Sequence, residues 1–292
     1  PIACWRRMIL SCMLAAVATC ASWAEAVQLP CGISYVWWDF GIPEAPEFSI
    51  AFTIHNDLGT SPGIYLQFYQ GHIGRTGFYF GFQTNLYKPG EGGAGKGILY
   101  SRWGSRDLGD VRPVSGGWTQ SAGYEGDFVG LRKPYLWTEQ CYRCRLTQVD
   151  QDEKGVWYGL FVTDLGSGVE DYVGAIRFPR EDQRIPQIQN GGGTWIEVYS
   201  DAQTTLDVPF WHVSIERCFM DFGKARPAAI SSDYSAYPDS DTWYDPETGA
   251  VHLTIGDEAV RKHPEGIIFR KASSAPEEAE EDEPMNRMPS TK

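Results

Sequence analysis

Apolar side chains recur at every second position over much of the chain, which is the pattern of strands that bury one face. Phe48, Ile50, Phe52 and Ile54 follow this period in the first clear segment. No segment shows a helical period over three turns, and 32 glycines and 18 prolines allow frequent turns. The alternation predicts an all-β fold, an antiparallel β-sandwich or jelly roll. Further strands are predicted at 64–69, 78–85, 97–103, 142–149, 156–163, 171–178, 194–199, 210–222 and 250–255.

The two ends of the chain depart from this pattern. Residues 1–26 combine a basic start at Arg6 and Arg7, a short apolar run and an Ala-Glu-Ala sequence, which is typical of a cleaved secretory signal peptide. Residues 276–292 carry six acidic and two basic side chains without apolar periodicity, which predicts a disordered acidic tail. The β-sandwich domain is therefore predicted at 27–275, and the protein is expected to be secreted or periplasmic.

The net charge of −13 limits the partners that the protein can attract. The predicted domain keeps −10 of this charge once the signal (+1) and the tail (−4) are set aside. An acidic surface disfavours nucleic acids and anionic membrane surfaces. No segment after the signal is long and apolar enough to span a bilayer, so no membrane span is predicted in the mature chain.

Four cysteines remain after the predicted signal: Cys31, Cys141, Cys144 and Cys218. An even number in an exported protein predicts structural disulfides, and four cysteines allow three pairings. If Cys141 and Cys144 lie on one strand, their thiols point to opposite faces, which disfavours a bridge between them. A redox pair or a Cys4 zinc site is a less favoured alternative, because the surrounding pattern for either is missing.

The faces opposite the apolar side chains carry phenols and amides instead of the usual Lys, Glu and Thr. We predict this polar face to include Tyr65, Gln67, Tyr69, Tyr79, Gln83, Asn85, Tyr100, Arg102, Glu197, Tyr199, His212, Ser214 and Glu216. Flat rings stack on the C–H faces of a sugar, and amides bond its hydroxyls, so the pattern favours a carbohydrate ligand. The alternative is that tyrosine is simply common on half-exposed sheets.

The predicted ligand-binding residues are Tyr79, Gln83, Asn85, Arg102 and Trp103. Gln83 and Asn85 would bond hydroxyls, Arg102 would bond a hydroxyl or carboxylate, and Tyr79 would stack. Trp103 shares a strand with Arg102 but is predicted to point to the opposite face, so it would contribute only at the strand end. The favoured function is non-catalytic binding of a glycan or polysaccharide.

Catalytic motifs of the common hydrolase and phosphate-binding classes are missing from the sequence. A glycoside hydrolase needs two carboxylates about 5–10 Å apart, and Glu197 and Glu216 could form such a pair if their strands are neighbours. This enzyme is one alternative function. A surface that binds another protein is a second, because Tyr, Trp and Arg also mark protein interfaces.

Metal-binding patterns are weak. The five histidines show no spacing typical of metal ligands, and no metal site is predicted from them. Asp239, Asp241 and Asp245 lie in one polar segment and form a possible calcium site, although the glycine and closing glutamate of an EF-hand loop are missing. No other cofactor is predicted.

Two consecutive predicted strands resemble a known exported family. Residues 79–85 (YFGFQTN) and 97–103 (GILYSRW) are similar to the Y-F-G-I-Q-x-N and V-L-F-S-V-W strands of the family called domain of unknown function 3472. Gly-rich, aromatic segments at 116–126 and the elements at 137–144 and 156–162 extend the similarity to about residues 48–256. The resemblance implies an extracytoplasmic, concanavalin-like β-sandwich that occurs with carbohydrate-active domains. It implies no catalytic residues.

Overall fold

Strands occupy most of the chain in the computed structural model, which describes residues 28–123, 126–180, 184–235, 237 and 239–271. The predicted signal at 1–26 and the predicted tail at 276–292 lie outside the described residues. Within the described ranges, no helix has the length and apolarity needed to cross a bilayer. The helical elements there are two short 3-10 turns, η1 (Leu108–Asp110) and η2 (Thr205–Asp207).

Each of the ten predicted segments overlaps an observed strand, so the alternation located these strands correctly. The strands are β1 (Cys31–Asp39), β2 (Glu44–Ala45), β3 (Glu47–Ile54), β4 (Gly63–Ile73), β5 (Thr76–Gln83), β6 (Tyr87–Lys88), β7 (Gly92–Gly93), β8 (Gly97–Trp103), β9 (Val111–Pro113), β10 (Trp118–Ala122), β11 (Phe128–Pro134), β12 (Cys141–Gln151), β13 (Gly155–Asp164), β14 (Glu170–Pro179), β15 (Ile188–Gln189), β16 (Gly193–Ser200), β17 (Trp211–Met220), β18 (Ala229–Tyr234), β19 (Ser240–Tyr244), β20 (Val251–Ile255) and β21 (Gly266–Arg270).

The strands form two large antiparallel sheets that pack as a sandwich, which confirms the predicted fold class. The large sheet has the order β10-β11-β8-β5-β4-β16-β1-β18-β21, and β15 and β2 join it at one side of β4. The small sheet has the order β19-β20-β17-β3-β12-β13-β14-β9. A two-stranded hairpin, β6-β7, lies outside both sheets.

Phenylalanine rings from the inner faces of the two sheets meet in one core. Phe52 of the small sheet lies 4.1 Å from Phe68 and 5.7 Å from Phe82 of the large sheet, measured between ring centroids. Phe48 lies 6.3 Å from Phe80 in the same way. Large aromatic side chains bury 150–250 Å² each, so these contacts supply much of the apolar area that holds the sheets together.

A β-bulge in β4 overturns the predicted position of Tyr69. The register between β4 and β5 shifts between Gln67 and Tyr69, and one extra residue inverts the alternation that follows. Tyr69 therefore points inward, is completely buried, and packs with its ring centroid 4.0 Å from that of Phe48. The prediction that Tyr69 shares an outer face with Tyr65 is wrong.

Strand β8 runs in the opposite phase to the one predicted. Phe80 pairs with Tyr100 and Phe78 with Arg102 across the β5–β8 register, so Tyr100 and Arg102 lie on the inner face. Both are buried, whereas Trp103 lies on the outer face, next to Tyr79. The predictions that Tyr100 and Arg102 point outward and that Trp103 points inward are wrong.

The four cysteines in the described residues are free thiols, so the predicted disulfides are wrong. Cys144 of β12 and Cys218 of β17 both pair with Ile50, from opposite sides of β3. They are thus separated by two inter-strand spacings, or about 10 Å, which exceeds the roughly 7 Å that a disulfide can span between Cα atoms. Cys141 is exposed and Cys144 is buried, as predicted for two thiols on opposite faces of one strand.

Candidate functional site

A groove of about 850 Å³ crosses the outer face of the large sheet. Central strands β16, β4, β5, β8 and β11 form its floor, and β10 contributes at one side. Its lining is dominated by aromatic rings and amides: Pro30, Tyr65, Gln67, Gln70, Tyr79, Gln83, Tyr87, Leu99, Trp103, Gln120, Arg132, Trp195, Glu197 and Tyr199. We call this feature the aromatic groove.

A small apolar cluster on the outer face fixes the rings of the aromatic groove. Tyr65, Tyr79, Leu86 and Leu99 are buried together there, apart from the main core. Trp103 packs on this cluster, with its ring centroid 4.8 Å from that of Tyr79. Because the aromatic rings pack on one another, they keep their orientation without a ligand.

Gln67 is the buried amide of the aromatic groove. Its side chain is only 2% exposed, and its Nε2 has no hydrogen-bond partner among the described residues. An unsatisfied buried donor costs about 1–3 kcal/mol, so most native side chains avoid this state. Since Gln67 lines the groove, its amide hydrogens can be satisfied by an acceptor bound there.

Arg132 is the buried cation of the aromatic groove. Its Nη1 donates to Ser101 Oγ at 2.9 Å and to the Leu131 carbonyl at 3.0 Å. No ion pair joins Arg132 to a carboxylate within the part of the chain that the structure describes. Gly130 makes room for this guanidinium, because a Cβ there would lie 2.6 Å from Arg132 Nη1.

Tyr199 lines the aromatic groove and is bonded to Asn85, which is not among the lining residues. The Tyr199 hydroxyl donates to the Asn85 carbonyl at 2.6 Å, and burial raises the pKa of Tyr199 to about 12. Asn85 Oδ1 accepts the Gly95 amide at 3.0 Å and so holds the loop that contains β6 and β7. The Asn85 side chain therefore holds the neighbouring loop, and its absence from the groove lining does not support the predicted role in bonding a ligand.

Three of the five predicted ligand-binding residues, Tyr79, Gln83 and Trp103, line the aromatic groove. The sequence did not predict that Arg132, Trp195, Gln120 and Gln70 also line the groove. Trp195 and Gln120 could have been found only if the strand order were known, because β16 and β10 lie far apart in sequence from β5.

Arg102 is part of an interior ion-pair network. Its Nη2 lies 2.8 Å from Asp110 Oδ2, and its Nη1 donates to the Arg177 carbonyl. Arg177 binds the other oxygen of Asp110, with Nη2 to Oδ1 at 2.6 Å. Burial lowers the pKa of Arg102, and Asp110 opposes this effect. The prediction of Arg102 as a ligand-binding residue is therefore wrong.

The two glutamates of the predicted glycosidase pair lie on opposite sides of the sandwich. Glu197 of β16 lines the aromatic groove, whereas Glu216 of β17 lies on the outer face of the small sheet, bonded to Thr53 and Ser214. Two packed sheets are about 10 Å apart, and outward side chains add to that distance. The alternative in which Glu197 and Glu216 form a catalytic pair on neighbouring strands is therefore wrong.

The three aspartates of the predicted calcium site are not brought together. Asp241 is buried and binds His263 Nδ1 at 2.9 Å, whereas Asp245 is half-buried and closes a turn by accepting Thr248 Oγ1 at 2.7 Å. Asp239 accepts the Gly256 amide through its backbone carbonyl. In the described ranges, the one group of three or more His, Cys, Asp or Glu with converging ligand atoms consists of histidines.

Comparisons with known proteins give no relative for this chain: no family model and no curated protein matches it. The fold and the groove define it as an antiparallel β-sandwich with a preformed aromatic groove on one outer face. Function must therefore be inferred from the chemistry of that groove.

Proposed function

We propose that the protein is an exported, non-catalytic carbohydrate-binding β-sandwich, and that the aromatic groove holds the sugar. The observation that carries this proposal is the pairing of fixed rings with a buried, unpartnered amide in one groove. The sequence resembles domain of unknown function 3472, which implies an extracytoplasmic protein of a family that occurs with carbohydrate-active domains, and this agrees with the proposal.

The groove offers the two kinds of contact that a sugar ring requires. Trp103 and Trp195 offer flat faces on which the C–H side of a pyranose can stack. Gln67, Gln83 and Gln120 offer amide donors and acceptors for hydroxyl groups. Arg132 takes the role that the sequence assigned to Arg102, since its guanidinium can bond a hydroxyl or a carboxylate.

We propose binding without catalysis because the groove lacks a pair of carboxylates among its described lining residues. A glycoside hydrolase of the usual kind needs two of them across the scissile bond. Glu197 is the one acidic side chain among the described residues that line the groove. A concave groove of about 850 Å³ lined by rings and amides favours a saccharide chain, whereas a protein partner would favour a flat apolar patch.

The test is binding of the purified protein to a glycan array that carries neutral and uronate-containing oligosaccharides. We expect selective binding, and we expect Trp103→Ala to weaken it about tenfold, which corresponds to about 1.4 kcal/mol. Gln67→Leu should also weaken binding, because it removes the unpartnered amide while keeping a similar volume.

The matched control is Trp243→Ala, which removes a tryptophan of similar burial from the outer face of the small sheet. It should bind glycans as the wild type does. Circular dichroism would establish that each variant is folded. The proposal is overturned if no glycan binds, or if Trp103→Ala and Gln67→Leu both bind with wild-type affinity.

A further inference from the structure

Three histidines from distant parts of the sequence converge on the outer face of the small sheet. The ring centroids of His55 and His212 lie 4.0 Å apart, and His212 Nε2 lies 3.0 Å from His252 Nδ1. One ring nitrogen from each of the three lies within 4.8 Å of the others. We call His55, His212 and His252 the histidine cluster.

Strand pairing produces the histidine cluster. β17 lies between β3 and β20, so His212 is flanked by the end of β3 on one side and by β20 on the other. The His55 amide donates to the His212 carbonyl at 3.0 Å, which places the two residues side by side. His252 pairs with Ser214, two residues beyond His212 on the same face of β17.

We propose that the histidine cluster binds one divalent transition-metal ion of the Zn²⁺ class. Imidazole nitrogens suit Zn²⁺, Cu²⁺ and Ni²⁺, whereas Ca²⁺ and Mg²⁺ require oxygen ligands. A tetrahedral ion with Zn–N bonds of about 2.0–2.1 Å needs ligand nitrogens roughly 3.3 Å apart. The ligand nitrogens of the cluster already lie within 4.8 Å of one another, so small rotations of the imidazole rings can bring them to a separation of roughly 3.3 Å.

Neighbouring groups fix the ring of His55. Ser214 Oγ donates to Glu216 Oε1 at 3.1 Å, so the contact of 2.7 Å between Ser214 Oγ and His55 Nε2 is one in which the imidazole donates. That arrangement leaves the lone pair of His55 on Nδ1 for a metal ion. Ligand imidazoles commonly donate their other N–H to an orienting group in this way.

The other two rings are also held in place. Trp243 stacks on His252, with ring centroids 4.7 Å apart and planes tilted by 10°. The His212 ring stacks on that of His55, and its centroid lies 6.0 Å from that of Trp243. His55 is exposed, which leaves a coordination position open to water or to another ligand.

The test is a titration of chelator-treated protein with ZnCl₂, in which binding is measured by calorimetry and by tryptophan fluorescence. We expect one ion per chain. His212→Ala should lower the affinity by more than tenfold, and Ser214→Ala should lower it by about tenfold because it removes an orienting group. Co²⁺ should give the visible absorption of a tetrahedral site with nitrogen ligands.

Two controls separate the cluster from other ligands. His72→Ala removes an exposed histidine on β4 of the large sheet, and Cys141→Ser removes an exposed thiol; both should bind Zn²⁺ as the wild type does. If His212→Ala fails to fold, His55→Ala at the end of β3 replaces it. The proposal is overturned if the wild type binds no ion, or if the folded histidine variants bind with unchanged affinity.

Discussion

The inner and outer faces of the large sheet each hold one buried arginine, and the two differ in their partners. Arg102 on the inner face of β8 shares Asp110 with Arg177. Arg132 on the outer face of the neighbouring strand β11 has a hydroxyl and a carbonyl as its hydrogen-bond partners among the described residues. Both side chains are about equally buried, at 5% and 6% exposed.

The difference in partners indicates that the charge of Arg102 is structural, whereas the charge of Arg132 is available to a ligand. A buried ion is tolerated when an opposite charge compensates its lost hydration, and Asp110 does this for Arg102. In the aromatic groove, no such compensation comes from the described residues. The Nε2 of Gln67, which also lines the groove, likewise has no hydrogen-bond partner among the described residues.

The largest effect is expected from Asp110→Ala. The change leaves Arg102 and Arg177 without their shared carboxylate in a buried place. We expect the free energy of unfolding to fall by about 3–5 kcal/mol. Urea denaturation measures it. Asp171→Ala, which removes the partly exposed partner of Lys133, should change it by less than about 1 kcal/mol. Equal losses in the two variants would remove the distinction between a buried and an exposed pair.

A smaller loss is expected from Gly130→Ala. The added Cβ would lie 2.6 Å from Arg132 Nη1 and 3.0 Å from the Tyr100 carbonyl, and it would also crowd Ser101 Oγ. Overpacking of this kind costs about 1–3 kcal/mol. The displaced guanidinium should also weaken glycan binding. Gly59→Ala, where the added Cβ would meet only the Ser61 carbonyl oxygen at 4.0 Å, is the control and should leave the melting temperature unchanged.

Arg132→Met tests the contrast directly. Because no carboxylate is stranded by the change, we expect stability to stay within about 1 kcal/mol of the wild type or to rise. Glycan affinity should nevertheless fall about tenfold, as expected when a charged hydrogen-bond donor is lost. Arg102→Met should show the reverse pattern, with a loss of about 1–3 kcal/mol in stability and unchanged glycan affinity. A marked loss of stability in Arg132→Met would show that the groove arginine is structural.

The smallest effect is expected from Glu47→Gln, which removes a buried charge from the outer face of the small sheet. Burial raises the pKa of Glu47 above its ordinary value of 4.5, although the Phe222 amide, which donates to Oε2 at 2.8 Å, opposes the shift. The folded protein then holds this proton more tightly than the unfolded chain. The contribution of Glu47 to stability is therefore complete below pH 4.5 and is lost as the pH rises through the folded pKa.

Glutamine keeps the acceptor for Phe222 but does not titrate. The melting temperature of Glu47→Gln minus that of the wild type should therefore increase between pH 4 and pH 7. The control is Glu265→Gln, at an exposed position, which should follow the wild-type profile. A decrease in this difference as the pH rises would contradict a raised pKa for Glu47.

Much of the fold could be predicted from local pattern. Alternation located ten strands because a strand buried on one face must place apolar side chains at every second residue. The other strands were missed, among them β1 and β11, which carry aromatic, glycine or charged residues on both faces. Turn-rich composition and the missing helical period were enough to predict a sandwich.

The candidate site could be predicted only in part. Tyr79, Gln83 and Trp103 were identified from one pair of consecutive strands, and they line the groove. Arg102 was misassigned because a polar residue in a strand can face either solvent or a buried partner, and its partner Asp110 is a feature of the tertiary structure. The histidine cluster was missed because its members are far apart in sequence.

The sequence by itself determined that this chain forms strands with phenylalanine on one face and phenols and amides on the other. The tertiary structure alone decided where a strand reverses the direction of its side chains and which residues of other strands they contact. The bulge in β4 turned Tyr69 inward, and the pairing of β17 with β3 and β20 brought His55, His212 and His252 together. The physical reason is that a side chain's alternation is a local property, whereas strand order and register depend on hydrogen bonds between distant segments.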